Sequence, residues 1–530
     1  MAGTSGQTLF AIVSRKPTAA SAMTIPPAQR AAVIDLGSNT ARLVLYYFRA
    51  GHSYHLEDEI RAVVRLREGL TASGLSSKAE ERAFSVLQLF KDYCSAVGPE
   101  VIIPVATSAI REAANGAAFV KKVREEFGFD LRVLTGEQEA FYSCLGALNS
   151  VPCRDGLVMD TGGGSVQLGR LVDGRFESGQ ALELGALTLK ERFVRSDPIK
   201  KREIKDIQNE IDRRLEKFSG WETAGRRLVG LGGTTRNLAK IQAKRQAFPL
   251  DHMNGFVLRR TSVGKIIRTL RRLPVQERGK LPGLSRDRAD IILPGALVVQ
   301  AVMDRLGVDE LTLSAYGIRE GLFLEHFWSD SPTKGPLELR EFSLLNAARF
   351  YRYQEKHAHH VRHLCRRLFD QLAPLHGCGP DHRLLLDAAS LLHDIGSAVS
   401  YNDHHKHSRM LIVSHGLPGF SPRETAVIAL LAFYHRKGDP GIREFRSLLR
   451  PEDEAVVRHL AALLRLAECL ERGRSGHVKD IRLSWSDSEL TVTLIADTEP
   501  TVEIWDARQL ASELLGQVYG RPVVFKSAKS

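Results

Sequence analysis

One short pattern occurs twice in this chain and limits what it can fold into. An apolar run ends in Asp35-Leu36-Gly37-Ser38-Asn39-Thr40 and resumes as far as Tyr47. The run 156–160 ends in Asp160-Thr161-Gly162-Gly163-Gly164-Ser165 and resumes over 166–171. β-rich segments on either side of a Gly/Ser/Asn turn predict a hairpin at each place. A hairpin repeated with its aspartate at the same offset predicts two similar α/β domains facing each other across a cleft. A third strand–turn–helix unit, 227–239, carries Gly230-Leu231-Gly232-Gly233-Thr234-Thr235.

The remaining periodicities fill in that frame. A helix is predicted over 78–97, a buried strand over 101–106, a helix over 116–127, a strand over 131–134 and a helix from near Glu137. A Ser/Pro/Lys/Gly stretch, 329–336, reads as a linker. Beyond it the chain is helical and histidine-rich to about Arg474. Two strands over 481–495, a helix over 506–518 and a strand over 522–525 end it. The expected division is a flexible extension (1–30), two α/β domains (31–142 and 143–330), a helical domain (331–479) and a small α+β module (480–530). A length of 530 residues agrees with several domains.

Charge and cysteine usage narrow the function. The formal net charge of +12 favours an anionic partner; nucleic acid, a membrane surface and a polyphosphate chain all satisfy it. Six scattered cysteines without a CxxC pair fit reduced thiols. No stretch reaches the ~18 apolar residues of a spanning helix. The apolar patch 9–13 lacks a preceding basic region, which argues against a signal peptide. A cytoplasmic location is the expectation.

The turns point to phosphate chemistry. Glycine lets the backbone approach a ligand, so that N–H groups of Gly37, Gly162, Gly163, Gly164, Gly232 and Gly233 can face phosphate oxygens. Hydroxyls and amides of Ser38, Asn39, Thr40, Ser165 and Thr234 add donors. Asp35 and Asp160, at strand ends, are placed to hold Mg²⁺ or another divalent cation against those oxygens. The third turn opens a helix whose dipole favours an anion. Each turn alone also reads as an ordinary tight turn; three together do not.

Five segments carry a resemblance. Residues 34–40, 105–115 (Thr107, Ser108 and Arg111 among them), 135–140, 159–165 and 317–321 resemble, in order and spacing, the Ppx/GppA phosphatase family. The resemblance implies two actin-like (ribonuclease H-like) domains of the ASKHA type, followed by an all-α HD-like domain and a small α+β module. It implies hydrolysis of a terminal phosphoanhydride with Mg²⁺, with inorganic polyphosphate as substrate and a homodimer as the assembly. Guanosine pentaphosphate (pppGpp) hydrolysis at the 5′ end is the alternative, followed by a polyphosphate or alarmone sensor without turnover. Neither a membrane nor a specific nucleic acid is expected as partner. Glu139 matches the family's proposed catalytic base, and a carboxylate can orient or deprotonate water. Arg111 can clamp phosphate bidentately. On the residues alone, Glu139 is also an ordinary first-turn glutamate and Arg111 a solvated surface arginine.

Two positions depart from the family. Gln167 stands where Gly-Gly-Gly-Ser-x-Glu is usual, removing a negative charge near the expected metal. In the helical region His357, the pair His393-Asp394 and Glu468 resemble an HD-type metal site, with Glu468 in place of the usual aspartate. Imidazole–carboxylate pairs are also common as satisfied core groups, and both readings stand. Two basic stretches, Arg259 to Arg272 and His405 to Lys437, read as solvated helix faces or as a track for a polyanion whose affinity falls with salt.

Overall fold

The computed structural model describes residues 25–216, 227–329 and 338–529. Most of the expected N-terminal extension and most of the expected linker lie outside these residues. The chain divides into two compact units: one up to Gln246 together with Met253–Leu339, the other Ala247–His252 together with Arg340–Ser530. The expected domains 31–142 and 143–330 share the first unit, and 331–479 and 480–530 share the second.

The first unit holds two sheets. Strands β1 (Gln29–Leu36), β2 (Thr40–Arg49), β3 (Ser53–Val63), β4 (Val101–Ala106) and β5 (Arg132–Val133) lie in the order 3-2-1-4-5. β6 (Gly156–Thr161), β7 (Val166–Val172), β8 (Arg175–Leu182), β9 (Leu228–Leu231), β10 (Val257–Arg259) and β11 (Glu310–Leu313) lie in the order 10-11-9-6-7-8. The repeat is topological as well as sequential. β1 pairs antiparallel with β2 and parallel with β4, and β6 pairs antiparallel with β7 and parallel with β9. Covered on both faces, β1 and β6 need unbroken apolar runs. Ala31 to Ile34 are fully buried, and Leu157 to Met159 nearly so. Asp35 and Asp160 follow those runs, at the carboxyl ends of parallel pairs, where open α/β sheets place their ligands.

Two helices cross between the halves. Gly136–Leu148 packs on β6, β7 and β8 of the second sheet, although the first half of the sequence leads into it. Ile318–Phe327, late in the second half, packs on β1 and β2 and on helix Gly136–Leu148. The expected boundary at 142/143 therefore falls inside a helix. Phe323 anchors the second helix, stacked on Tyr46 with ring centroids 4.0 Å apart and edge-on to Phe48. Such pairs add about 0.5–1.5 kcal/mol to the apolar burial.

The second unit packs helices Leu339–Phe350, Glu355–His376, Pro380–Leu392, His404–His415, Pro422–Tyr434 and Glu452–Leu470. With them lies a three-stranded sheet of β12 (Val478–Trp485), β13 (Leu490–Ala496) and β14 (Val523–Lys529). Leu430 and Leu464 from the helices share one core with Val492 and Phe525 from the sheet. The helix expected over 506–518 starts earlier, at Thr501 after Pro500, and is split at Ala511 into Thr501–Leu510 and Ser512–Tyr519. No helix among the described residues is long and apolar enough to cross a membrane.

Candidate active site

Local sequence sets Glu139 in place. Thr135 caps helix Gly136–Leu148: its hydroxyl accepts from the Gln138 N–H at 3.1 Å, and the Gln138 side chain accepts from the Thr135 N–H at 2.9 Å. This reciprocal box starts the helix at a defined residue. Glu139 then falls on the inner face and is 1% exposed. Arg111 donates to Glu139 Oε1 and to the Leu134 carbonyl, and Gln167 donates to Glu139 Oε2. Gln167 also donates to Ser165 Oγ at 2.7 Å. Burial pushes the Glu139 carboxyl up to about 7, against the Arg111 guanidinium, which holds it down.

The three turns meet around this carboxylate. Ser38 and Ser108 hydroxyls are 2.8 Å apart. A Cβ on Gly164 would lie 2.3 Å from Ser108 Oγ and 2.6 Å from Ser38 Oγ, so only glycine lets these segments touch. Gly163 faces Asn39, and Asn39 Nδ2 is buried without a hydrogen bond. The Gly37 N–H is taken by the Thr40 carbonyl and that of Gly162 by the Ser165 carbonyl. The Thr107 carbonyl accepts from the Ile110 and Arg111 N–H groups. In the third turn Gly232 has φ +83°, and a Cβ there would meet Asp160 Oδ1 at 2.4 Å. Thr234 turns its side chain toward Gly295, where its buried hydroxyl makes no hydrogen bond.

Asp160 is buried and Asp35 partly buried, and both acids are raised. Burial pushes Asp160 up to about 6, while a hydrogen bond from Ser143 at 3.1 Å and the charge of Arg236 oppose the shift. Burial also raises Asp35, opposed by Arg319 and Arg42. Among the described residues, sets of three or more ligand atoms close enough for one metal ion occur only in the helical unit. Neither Asp35 nor Asp160 belongs to such a set.

Sequence reasoning passed over the cations that face these acids. Arg42, in β2, is drawn down to about 10 by burial and by the charge of Arg319. Arg42 and Arg319 both pair with Glu59, the latter at 3.2 Å. Arg236 donates to the Ala315 carbonyl at 3.3 Å, and the Arg288 guanidinium lies directly against Gly233. Arg42 comes two residues after its turn, Arg236 directly follows its own, and Arg319 lies inside the 317–321 segment, a signal that could have been read. Arg288 carries none. In the helical unit ligand atoms of His357, His393 and Asp394 lie within 4.8 Å of one another, and Glu468 Oε2 stands 3.1 Å from His357 Nε2 and 3.0 Å from His393 Nε2. The two basic stretches are not uniformly free: Arg260 pairs with Asp304 and Asp309, Arg259 with Glu310, and His405 and His435 are buried.

Two sheets of matching order, each presenting an aspartate and a glycine-rich turn to one cleft, define an actin-like, phosphate-handling class of protein. The chain belongs to the Ppx/GppA phosphatase family, which residues 44–329 match, while residues 339–509 match the family's domain III. A Ppx/GppA family member of Aquifex aeolicus is similar at 28% identity and a TM-score of 0.51, over 57% of this chain and 99% of that one. An exopolyphosphatase from Cytophaga hutchinsonii is 24% identical with a TM-score of 0.53, over 58% of this chain and all of that one. An exopolyphosphatase-like protein is also 24% identical, with a TM-score of 0.52, over 56% and 98%. At 24% identity the last two bear on the fold alone.

Proposed function

We propose that this phosphatase is an exopolyphosphatase, releasing terminal phosphate from inorganic polyphosphate by attack of water. The observation that carries the reading is the buried Glu139, held between Arg111 and Gln167 where the phosphate turns converge. Phosphoanhydride hydrolysis needs positioning and charge neutralisation more than covalent help. Gly163 and Gly164 let the backbone close on phosphoryl oxygens; Arg42, Arg236 and Arg319 balance their charge. Glu139 accepts the proton of the attacking water, and Arg111 holds that carboxylate in place. Mg²⁺, held by Asp35 and Asp160, would supply further charge neutralisation at the phosphoryl oxygens. The helical unit is proposed to be HD-like, the assembly a homodimer and the location cytoplasmic.

Pentaphosphate hydrolysis is the second reading, because the same acids and turns suit any terminal phosphoanhydride. Phosphate release from long polyphosphate and from guanosine pentaphosphate, each with Mg²⁺, separates the two. A higher kcat/KM on polyphosphate is expected; a preference for the nucleotide overturns the substrate assignment. No release from either substrate leaves the sensor.

Gln167→Glu supplies a further test. It would set a carboxylate against the carboxylate of Glu139, and like charges disfavour ionisation. Activity is expected to rise with pH at a higher midpoint than in wild type, with an altered Mg²⁺ titration. If both curves superpose on wild type, Gln167 does not tune the site.

A further inference from the structure

Residues 285–290 lie outside the three phosphate turns yet are tied to all of them. The Ser285 N–H donates to Asn237 Oδ1 at 2.8 Å, and Asn237 Nδ2 donates to the Gly233 carbonyl at 2.7 Å, so the segment hangs on the third turn. At its other end Asp290 reaches two cations. Its Oδ2 stands 3.6 Å from Arg65 Nη2 and 3.6 Å from Lys190 Nζ. Between the two ends, Asp287 pairs with Arg61 of β3.

Each cation belongs to the support of another turn. Arg65 follows β3 and holds φ +42°, a left-handed conformation uncommon for a residue with a side chain. The Val64 and Arg65 N–H groups both close on the Asn39 carbonyl, at 3.0 Å each, and the Arg67 N–H donates to the Ser38 carbonyl at 3.3 Å. Those bonds grip the first turn. Lys190 lies in helix Ala186–Phe193, whose opening residues grip the second. The Gly185, Ala186 and Leu187 N–H groups donate to the carbonyls of Gly164, Gly162 and Gly163 at 3.2, 3.2 and 2.9 Å. Thr188 Oγ1 donates to the Gly164 carbonyl at 2.7 Å. Asp290 therefore joins the supports of the first and second turns to a segment fixed on the third. The side chains of Asp290, Arg65 and Lys190 are 19%, 31% and 33% exposed. An isolated surface pair contributes little, whereas a largely buried acid shared by two cations forms a network that contributes more. The charge of Asp290 also acts on Arg278, a wholly buried arginine whose Nη1 and Nη2 make no hydrogen bond. Glu191, beside Lys190, lies in the field of Arg67 and Arg65 without an ion pair to either among the described residues.

We propose that Asp290 is a positioning residue: through Arg65 and Lys190 it holds the three phosphate turns at one spacing, and so sets how tightly the terminal phosphates bind. Its effect on activity rests on the phosphate-releasing reading above; its hold on the turns does not. Without the carboxylate, Arg65 and Lys190 repel each other, and the first and second turns shift relative to the third. Phosphate binding takes donors from several turns at once and suffers first. Proton transfer at Glu139 suffers less, because Arg111 and Gln167 hold that carboxylate separately.

The test compares Asp290→Asn, Asp290→Glu, Arg65→Gln and Glu191→Gln with wild type, each as the full chain. The first readout is hydrogen–deuterium exchange without substrate. Asp290→Asn is expected to speed exchange about tenfold in peptides covering 36–40, 161–165 and 231–235, while helix Gly116–Phe127 keeps its wild-type rate. The second readout is phosphate release from polyphosphate with Mg²⁺. KM is expected to rise about tenfold in Asp290→Asn, the scale of two partly buried ion pairs acting together. Its kcat should stay within a factor of about two, the mark of lost binding rather than lost chemistry. Asp290→Glu keeps the charge and should recover most of the KM. Arg65→Gln should reproduce part of the loss, and Glu191→Gln none of it. Should Asp290→Asn not fold, Arg65→Gln and Lys190→Gln each remove one arm of the network and carry the same expectations at smaller size. Turns that exchange at the wild-type rate, a KM unchanged in folded protein, or an equal loss in Glu191→Gln overturns the proposal. If wild type releases no phosphate from polyphosphate, the proposed function falls instead, and the exchange rates still decide the role of Asp290.

Discussion

Glu139→Gln is expected to lower kcat for phosphate release by about 10³-fold, within the range a general base contributes. Glutamine keeps the volume and still accepts from Arg111, and the Gln167 amide can turn its oxygen to accept from the new NH2, so the fold and KM should change little. In wild type the carboxyl is pushed up to about 7, chiefly by burial. Activity should therefore rise with pH through about 7 as the base is freed, and the residual activity of the variant should lack that limb. Stability carries the opposite sign. An acid raised above its unfolded value binds its proton more tightly when folded, so its contribution is full below about 4.5 and is lost as pH rises through about 7. The Tm of wild type relative to Glu139→Gln should fall between pH 5 and pH 8. Equal kcat in the two proteins at pH 8 removes Glu139 from the reaction.

Gly321→Ala is expected to cost about 10²-fold in kcat and to lower Tm, although it touches no part of the cleft. Helices Gly136–Leu148 and Ile318–Phe327 cross glycine against backbone. A Cβ on Gly321 would stand 2.1 Å from the Tyr142 carbonyl oxygen, and one on Gly146 would stand 2.5 Å from that of Gly317. Main chain cannot swing aside as a side-chain end does, so the helices must separate, and overpacking of this kind costs about 1–3 kcal/mol. The displacement falls on function because the first helix carries Glu139 and Ser143 and the second Arg319; a misplacement of about 1 Å can cost 10²-fold. Gly264→Ala is the control. Its Cβ would meet only side-chain ends, at 3.5 Å or more, so the gain in helix propensity, about 1 kcal/mol, should leave that variant at least as stable as wild type. Unchanged kcat in Gly321→Ala would show that the crossing does not position the site.

Some parts were legible because neighbours in sequence carry the signal. The turns at Asp35 and Asp160 announce themselves by glycine and by flanking apolar runs, and Thr135 and Gln138 announce the start of the Glu139 helix. β3 was not legible: Leu56-Glu57-Asp58-Glu59 has poor strand propensity, and its place at the sheet edge comes from pairing with β2 along its whole length. The 317–321 segment could be recognised, but its meaning lay in the approach of its two glycines to a helix almost two hundred residues earlier. His435 read as a member of a basic stretch, while burial and the Ala432 carbonyl set its other ring nitrogen 3.1 Å from that of His404.

The sequence by itself determined a repeated strand–aspartate–turn unit, its phosphate chemistry and a histidine-rich helical region, since propensity, glycine and apolar period act over a few residues. Only the tertiary structure decided which helix serves which sheet, which arginines face the acids, how Gln167 holds Glu139 and which histidines meet Asp394. Those depend on contacts between residues distant along the chain, made when apolar faces are buried together and each buried polar atom must find what satisfies it.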